Sequence, residues 1–153
     1  MSDAVSFMRE AVQLARDNRA RGAQPCGAVL ARDGQRIATG VNEIVQTCDP
    51  TSHAEMQALR AASAALQQPR LDGCVVYASG YPCPMCLAAM VASGIEKVFD
   101  AFDNADAAPY GPSSDAAYAA LGLALAPTPL PMVRVDTGVT AAQVYGDTGT
   151  SAG

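Results

Sequence analysis

The apolar positions near the start of the chain repeat with the period of an α-helix. They are Phe7, Met8, Ala11, Val12, Leu14 and Ala15. Residues three and four apart share one face of a helix, so this spacing predicts an amphipathic helix over about residues 4–20. Gly22 follows its end, as is typical of a helix C-terminus.

Two short apolar stretches, at residues 28–31 and 37–41, flank the dipeptide Asp33-Gly34. Asp-Gly between apolar stretches is a strong hairpin signal, because both residues tolerate the positive φ angles of a tight turn. The pattern therefore predicts two antiparallel strands that begin a sheet.

The middle of the chain alternates between helical and strand patterns. Turn residues at 49–52 precede a helical run at 53–66, and a strand at 75–78 precedes a second helical run at 83–93. Pro84 suits the first turn of that second helix and Gly94 lies just beyond its end. Lys97-Val98-Phe99 reads as a strand again, and the order strand, helix, strand predicts parallel neighbours.

The pattern is weaker after Asp103. It predicts a loop through Pro112, a short helix at 114–121 and a last strand at 132–135. Since the sequence shows no internal repeat and no linker, we expect one α/β domain over residues 1–145. The small and polar tail at 146–153 is expected to be disordered.

Composition and charge narrow the choice of partner. The 153 residues are 50% hydrophobic and 16% charged, which fits a compact globular protein, and the formal net charge is −5. Nucleic-acid binding usually depends on clustered Lys and Arg, so a free small molecule is the expected partner. The N-terminus does not resemble a secretion signal and no apolar run has the length of a membrane span, which predicts a soluble, cytoplasmic protein.

Two short motifs carry the candidate chemistry. His53-Ala54-Glu55 opens one predicted helix, and Pro82-Cys83-Pro84-Met85-Cys86 opens the next. A catalytic zinc takes three nitrogen or sulfur ligands and keeps a fourth position open for water, so we expect His53, Cys83 and Cys86 to bind Zn²⁺. The two cysteines lie three apart and share a helix face, where the positive helix N-terminus favours thiolates.

Glu55 remains free to move protons between a water molecule and a substrate. His53 and Glu55 are only two apart and would point to different sides of a regular helix. The sequence therefore predicts an irregular first turn, with Thr51 or Ser52 as the N-cap.

Other interpretations of the cysteines stay open. Cys26, Cys48 or Cys74 could complete a closed structural zinc site, or the Cys-x-x-C pair could be a redox dithiol. A zinc-stabilised binding module is a further alternative. Each leaves Glu55 without a function.

The stretch from about residue 27 to residue 106 resembles the cytidine deaminase-like superfamily, in particular its guanine deaminase and tRNA adenosine deaminase branches. The resemblance rests on His53-Ala54-Glu55 and on Pro82 to Cys86. It implies a three-layer αβα sandwich with a five-stranded mixed sheet and helices on both faces. It also implies a homodimer, zinc on His53, Cys83 and Cys86, and Glu55 as proton shuttle.

The same resemblance implies contacts to the substrate. Asn42 stands where an Asn of these branches hydrogen-bonds the base, and the Ala54 backbone N–H can meet a carbonyl. Tyr81 stands where both branches usually carry Glu. Asp115 is the acid nearest to the place of a Gly-Phe-Asp-Asp segment of guanine deaminases, where this chain has Gly111-Pro112-Ser113-Ser114-Asp115.

The aromatic wall also differs from that of the resembled branches. Cys26 stands where guanine deaminases usually have Phe, and the usual aromatic in the second motif's helix is absent. Tyr81 and Tyr110 are the candidates for stacking on a base.

These observations predict a zinc-dependent hydrolytic deaminase of a free heterocyclic base, guanine or a related aminopurine or aminotriazine. The alternatives, in order, are a cytosine-type pyrimidine or nucleoside deaminase, a tRNA adenosine deaminase and a non-catalytic zinc module. The hypothesis of a tRNA substrate ranks lower because the second motif's helix ends Ala92-Ser93-Gly94-Ile95 without the usual Arg.

Overall fold

The structure, a computed structural model, describes residues 3–146, and the strands of that part of the chain form one five-stranded sheet. The strands are β1 (Gly27–Arg32), β2 (Gln35–Val41), β3 (Cys74–Gly80), β4 (Lys97–Phe102) and β5 (Met132–Arg134). Their order is β2-β1-β3-β4-β5. β1 pairs antiparallel with β2 and β3, whereas β3, β4 and β5 run parallel. The predicted hairpin at Asp33-Gly34 and the parallel pairing of β3 with β4 are confirmed.

Helices connect and cover the strands. They are α1 (Asp3–Ala20), α2 (Ile44–Thr47), α3 (Ala54–Leu66), α4 (Pro84–Ser93), α5 (Asn104–Ala107), α6 (Asp115–Ala120) and α7 (Ala141–Tyr145), with a 3₁₀ turn at Ala108–Tyr110. The sequence predicted α1, α3, α4 and α6 within a residue or two. It missed α2, α5 and α7, because four or five residues are too few to show a helical period.

The sheet separates two apolar layers. Leu30 and Val76 point to the side covered by α3 and α4, and they pack with Leu59 and Met90. Val29 and Tyr77, their neighbours along the strands, point to the opposite side, where α1 and α7 contribute residues such as Met8 and Val144. This alternation gives the three-layer αβα arrangement that the resemblance implied.

Two glycines let helices lie directly on the sheet. A Cβ at Gly40 of β2 would overlap the backbone oxygen of Ala54, in the first turn of α3. A Cβ at Gly27 of β1 would overlap the backbone oxygen of Ala11 in α1, on the other face. The start of α3 is therefore held against the sheet by backbone contact, which fixes the helix end that carries the first motif.

Two further expectations concern the chain as a whole. Among residues 3–146, no helix combines the length and the apolar character needed to cross a membrane. The disorder predicted for the tail falls on residues 147–153, which lie outside the described residues, and the boundary of a single domain at residue 145 stays a prediction.

Candidate metal centre and active-site cavity

The N-termini of α3 and α4 bring the two motifs together. His53 is the N-cap of α3 and Cys83 is the N-cap of α4, and both have extended backbone conformations. Cys86 lies three residues after Cys83, in the first turn of α4, with Pro84 between them at the start of the helix. The sequence therefore places three potential ligands at two adjoining helix ends.

The three ligand atoms have the spacing that one tetrahedral metal requires. Cys83 Sγ lies 3.4 Å from His53 Nδ1, Cys86 Sγ lies 3.6 Å from the same nitrogen, and the two sulfurs are 3.6 Å apart. Tetrahedral zinc, with bonds of about 2.3 Å to sulfur and about 2.0 Å to nitrogen, would need about 3.8 Å between sulfurs and about 3.6 Å from sulfur to nitrogen. The residues present thus fit zinc in both donor type and distance.

The predicted capping of α3 by Thr51 or Ser52 is wrong. Thr51 and Ser52 instead direct their hydroxyls to the carboxylate of Asp49, at 2.7 and 3.1 Å, and these bonds lower the pKa of Asp49. No irregular turn is needed, because His53 precedes the helix in an extended conformation while Glu55 belongs to its first turn. Both side chains can therefore face the same site.

Glu55 is buried beside the ligand atoms. Its side chain is 7% exposed, and Oε2 lies 3.5 Å from Cys86 Sγ, which donates to it. Burial is the main cause that raises the pKa of Glu55, since a low-dielectric environment disfavours the charged carboxylate. The carboxyl group is thus suited to hold a proton as well as to release one.

The two thiol sulfurs are in hydrogen-bond contact, and this contact shifts their pKa values in opposite directions. The contact with Cys86, with a further one to His53, lowers the pKa of Cys83 to about 4. The same Cys83–Cys86 bond and burial raise the pKa of Cys86, and the bond to Cys83 raises that of His53. Cys83 is therefore available as a thiolate, the form that binds metals.

No fourth cysteine joins the group within residues 3–146. Among these residues, the cluster that could hold a metal contains only His53, Cys83 and Cys86, and the cysteines form no disulfide. Cys74 is buried and Cys48 is exposed, whereas Cys26 lines the nearby cavity, where burial raises its pKa to about 12. Among these residues a closed structural site completed by another cysteine is thus not formed, and a metal held here would have three protein ligands.

A cavity of about 370 Å³ opens at this centre. The residues that line it are Gln24, Cys26, Asn42, Ile44, Val45, His53, Glu55, Gly80, Tyr81, Cys83, Asn104, Ala107, Pro112, Ser113, Ser114, Ala117 and Tyr145. Of the predicted substrate contacts, Asn42 and Tyr81 belong to this wall. Ala54 is fully buried at the start of α3, and Asp115 is exposed and lies outside the cavity.

Among residues 3–146, no group accepts a hydrogen bond from the amide nitrogen of Asn42, whereas both of its oxygens are engaged. Its Oδ1 accepts a hydrogen bond from the backbone N–H of Ile44 at 3.1 Å, and its backbone oxygen accepts one from Asn18 Nδ2 at 3.0 Å. The side chain is 5% exposed. Because the oxygen is engaged, the group that Asn42 offers to a ligand is a donor.

Tyr81 stands between this cavity and a larger one of about 940 Å³. Its hydroxyl donates to the backbone oxygen of Leu125 at 2.8 Å, and its ring meets that of Tyr118 edge-on at 5.9 Å. Asp115 lines the outer cavity. The structure therefore does not bring Asp115 together with Glu55 and Asn42.

Several wall residues had no signal in the sequence. Tyr145 comes from α7, far from both motifs, and packs on Tyr110 at 6.0 Å and on Phe102 at 5.6 Å. Tyr110, expected as a stacking residue, supports Tyr145 instead of lining the cavity. Asn104, from α5, was also missed, since neither short helix shows a pattern that sequence reasoning could use.

Comparison with known proteins was made on both sequence and structure. Residues 1–101 match the family model of the cytidine and deoxycytidylate deaminase zinc-binding region. The chain is 42% identical over 107 residues to a guanine deaminase of Bacillus subtilis strain 168, which covers 69% of each chain. It is 39% identical over 99 residues to a tRNA-specific adenosine deaminase of Aquifex aeolicus strain VF5, which covers 64% of this chain and 66% of that one.

A solved structure extends the likeness to the backbone. The crystal structure of guanine deaminase from Bacillus subtilis superposes with a TM-score of 0.74 at 37% sequence identity. The superposition covers 85% of this chain and 83% of the other. The sequence matches leave about a third of each relative outside the aligned stretch.

Proposed function

This chain belongs to the cytidine and deoxycytidylate deaminase family of zinc-dependent hydrolytic deaminases, and we propose that its substrate is a free heterocyclic base. The proposed substrate is guanine or a related aminopurine or aminotriazine. The reaction replaces an exocyclic amino group with oxygen, consuming one water and releasing ammonia.

The cavity is the observation that carries the choice of a free base. Its volume of about 370 Å³ lies in the range of small-molecule sites, and it reaches Glu55 and two of the three metal ligands, His53 and Cys83. Among the described residues that form its wall there is no Lys or Arg. A phosphate would therefore find no cationic partner there, whereas a neutral ring needs none.

Each residue of the centre has a role in this proposal. His53, Cys83 and Cys86 hold zinc, which when bound lowers the pKa of a water molecule toward neutrality. Glu55 accepts a proton from the attacking water and passes it to the ring. Glu55 then takes the proton of the hydroxyl added to the ring carbon and passes it to the amino group, so that the carbonyl forms, the C–N bond breaks and ammonia leaves.

The remaining contacts orient the ring. Asn42 donates from its amide nitrogen, and the backbone N–H of Ala54 at the start of α3 is the proposed partner of a carbonyl. Tyr81 forms a side wall of the cavity. The proposed contact of Asp115 would require a substrate that extends into the outer cavity.

A tRNA substrate has support from sequence similarity alone. The Aquifex aeolicus relative is named as a tRNA-specific adenosine deaminase. The net charge of −5 and the lack of Lys and Arg among the described residues of the cavity wall count against it, since RNA binding needs cations near the phosphates. We therefore rank it below a free base.

The test is ammonia release by zinc-loaded protein from a panel of substrates. The panel contains guanine, adenine, cytosine, isocytosine, ammeline, their available nucleosides and a tRNA anticodon stem-loop. We expect turnover of at least one free base, and we expect Glu55→Gln and Glu55→Ala to lower kcat by about 10²–10⁴-fold because the proton carrier is lost. Zinc content, measured by atomic absorption, should stay at one ion per chain.

Two outcomes would contradict the proposal in different ways. Normal turnover by Glu55→Gln would remove Glu55 from the mechanism. Turnover of the stem-loop alone would replace the free base with an RNA substrate while leaving the reaction type intact.

The proposal also includes a homodimer in the cytoplasm. The five cysteines are free, which suits a reducing compartment. The dimer comes from the family resemblance, and light scattering of the zinc-loaded protein measures it directly.

A further inference from the structure

We propose that Asn104 is a specificity-determining residue whose amide nitrogen donates a hydrogen bond to a carbonyl oxygen of the substrate base. This inference rests on the proposed function and names the chemical group that the site selects. It is carried by the buried amide of Asn104, which lies in the wall between the active-site cavity and the outer cavity.

The backbone of Asn104 is fixed at the end of the parallel part of the sheet. Asn104 is the first residue of α5, directly after β4, and a reciprocal capping box joins Asp103 to Asp106 with bonds of 2.8 and 3.0 Å. Arg134 from β5 pairs with Asp106 at 2.8 Å and with Asp103 at 3.5 Å. These contacts therefore fix the backbone position of Asn104.

The orientation of the amide follows from its partners. Oδ1 lies 3.1 Å from the backbone nitrogen of Ser114 and 3.2 Å from the Ser114 hydroxyl. A backbone N–H can only donate, so the atom facing it must be the oxygen. The amide nitrogen, Nδ2, is thereby directed away from Ser114.

Nδ2 is left without a partner. Asn104 is 5% exposed, and among residues 3–146 Nδ2 is the one sealed side-chain nitrogen or oxygen that makes no hydrogen bond. An unsatisfied buried donor is unfavourable. Because Nδ2 is sealed from solvent, a base reaches it only with a shift of the surrounding wall, and an acceptor that then pairs with Nδ2 removes this cost.

The polarity of the cavity points to a carbonyl. Asn104 and Asn42 both have their oxygens engaged by backbone N–H groups, so each presents a donor. Asp115, the acidic residue predicted to contact the substrate, is exposed and lines the outer cavity. An amino group on the ring would place a second donor opposite the Asn104 amide nitrogen, whereas a carbonyl oxygen would accept a hydrogen bond from it.

The experiment exchanges an acceptor for a donor on the base and, separately, a donor for an acceptor at Asn104. Guanine has a ring carbonyl with an adjacent N–H where 2,6-diaminopurine has an amino group and an unprotonated ring nitrogen, and ammeline and melamine differ in the same way. Asn104→Asp keeps the shape and the oxygen that faces Ser114 but replaces the donor with an acceptor. Binding is measured by calorimetry on zinc-loaded protein carrying Glu55→Gln, so that neither base is consumed.

With Asn104 in place, we expect the carbonyl member of at least one pair to bind about tenfold or more tightly than its amino counterpart. Asn104→Asp should lower or reverse that ratio by about 10–100-fold, as is typical of losing one hydrogen bond in a buried site. Asn104→Ala serves as the second variant, and it should weaken the carbonyl base selectively. Gln143→Glu, at an exposed position of α7 where a carboxylate can keep the capping bond to Thr140, adds the same charge outside the cavity and should leave the ratio unchanged.

The ratio of the two affinities distinguishes a role of Asn104 in specificity from a role in stability. A purely structural Asn104 would lower Tm and weaken both members of a pair equally. An unchanged ratio in Asn104→Asp, or failure of every carbonyl base to bind, overturns the inference. Glu55-dependent ammonia release from the panel then decides the proposed function independently.

Discussion

At the scale of single residues, burial raises the pKa of two carboxyl groups, and the consequence differs between them. Glu55 is buried at the cavity, where a raised pKa suits proton transfer. Asp100 is 6% exposed on β4, outside the cavity, and burial raises its pKa from 3.8 to about 6 despite the attraction of Arg134. At Asp100 the same effect is a cost to the folded state.

The pH dependence of stability follows from the sign of the Asp100 shift. A folded-state pKa above the unfolded value means that the folded chain binds the proton more tightly. The favourable contribution is complete below about pH 4 and is lost as pH rises toward about 6. Asp100→Asn does not titrate, so we expect it to gain about 1–2 kcal/mol over the wild type between pH 4 and pH 7, after allowing for the lost attraction to Arg134.

Urea unfolding of both proteins, at matched zinc content across this pH range, measures the gain. A difference in unfolding free energy that stays constant with pH would show that Asp100 titrates normally.

At the scale of elements, the site depends on how helix ends meet the sheet. The ligands are the N-cap of α3 and the N-cap and first turn of α4, so a small displacement of either helix separates them. α3 touches β2 at Gly40, where backbone meets backbone. The geometry of the metal centre is therefore set by helix packing as well as by the motifs.

Gly40→Ala tests this dependence, with Gly27→Ala as its matched control. Each added methyl group would overlap helix backbone, and we expect each to lower the free energy of unfolding by about 1–3 kcal/mol. Only Gly40→Ala displaces the helix that begins after His53. We expect zinc affinity, from competition with a chromophoric chelator, to fall about tenfold or more in Gly40→Ala and to change little in Gly27→Ala, which presses on α1.

Equal loss of zinc affinity in the two variants would indicate a general loosening of the sheet. Unchanged zinc affinity in a stably folded Gly40→Ala would show that α3 shifts without disturbing His53.

At the scale of the whole molecule, one metal would join elements distant in sequence. His53 and the Cys83–Cys86 pair lie on different helices, connected through β3, on the same side of the sheet. A ligand that binds only the folded state adds about 4 kcal/mol at a free concentration a thousand times its Kd. Zinc is thus expected to contribute stability as well as chemistry.

Removing zinc with a chelator should lower Tm by about 8–16 °C, since 1 kcal/mol shifts Tm by about 2–4 °C at this chain length. Differential scanning calorimetry before and after dialysis against the chelator measures the change. Cys86→Ser, which removes one ligand, should show little further response to chelation. An equal Tm with and without zinc would mean that the metal does not couple the two helices.

The sequence predicted some elements and site residues correctly and missed others. Hydrophobic periods and turn signals located the long helices and the paired strands, because those patterns depend on local spacing. The two short motifs indicated the ligand types and the proton carrier, because zinc and acid–base chemistry restrict the residues that can serve. The capping of α3 was misjudged, since Thr51 and Ser52 found a nearer partner in Asp49.

The sequence by itself determined the αβα class, the mixed sheet and the family of the reaction. Only the tertiary structure decided which distant residues close the cavity. It brought Tyr145 and Asn104 into the wall and left Asp115 outside it. The physical reason is that residues within a motif are positioned by their own helix, whereas a cavity wall is assembled from segments whose placement depends on the packing of the whole chain.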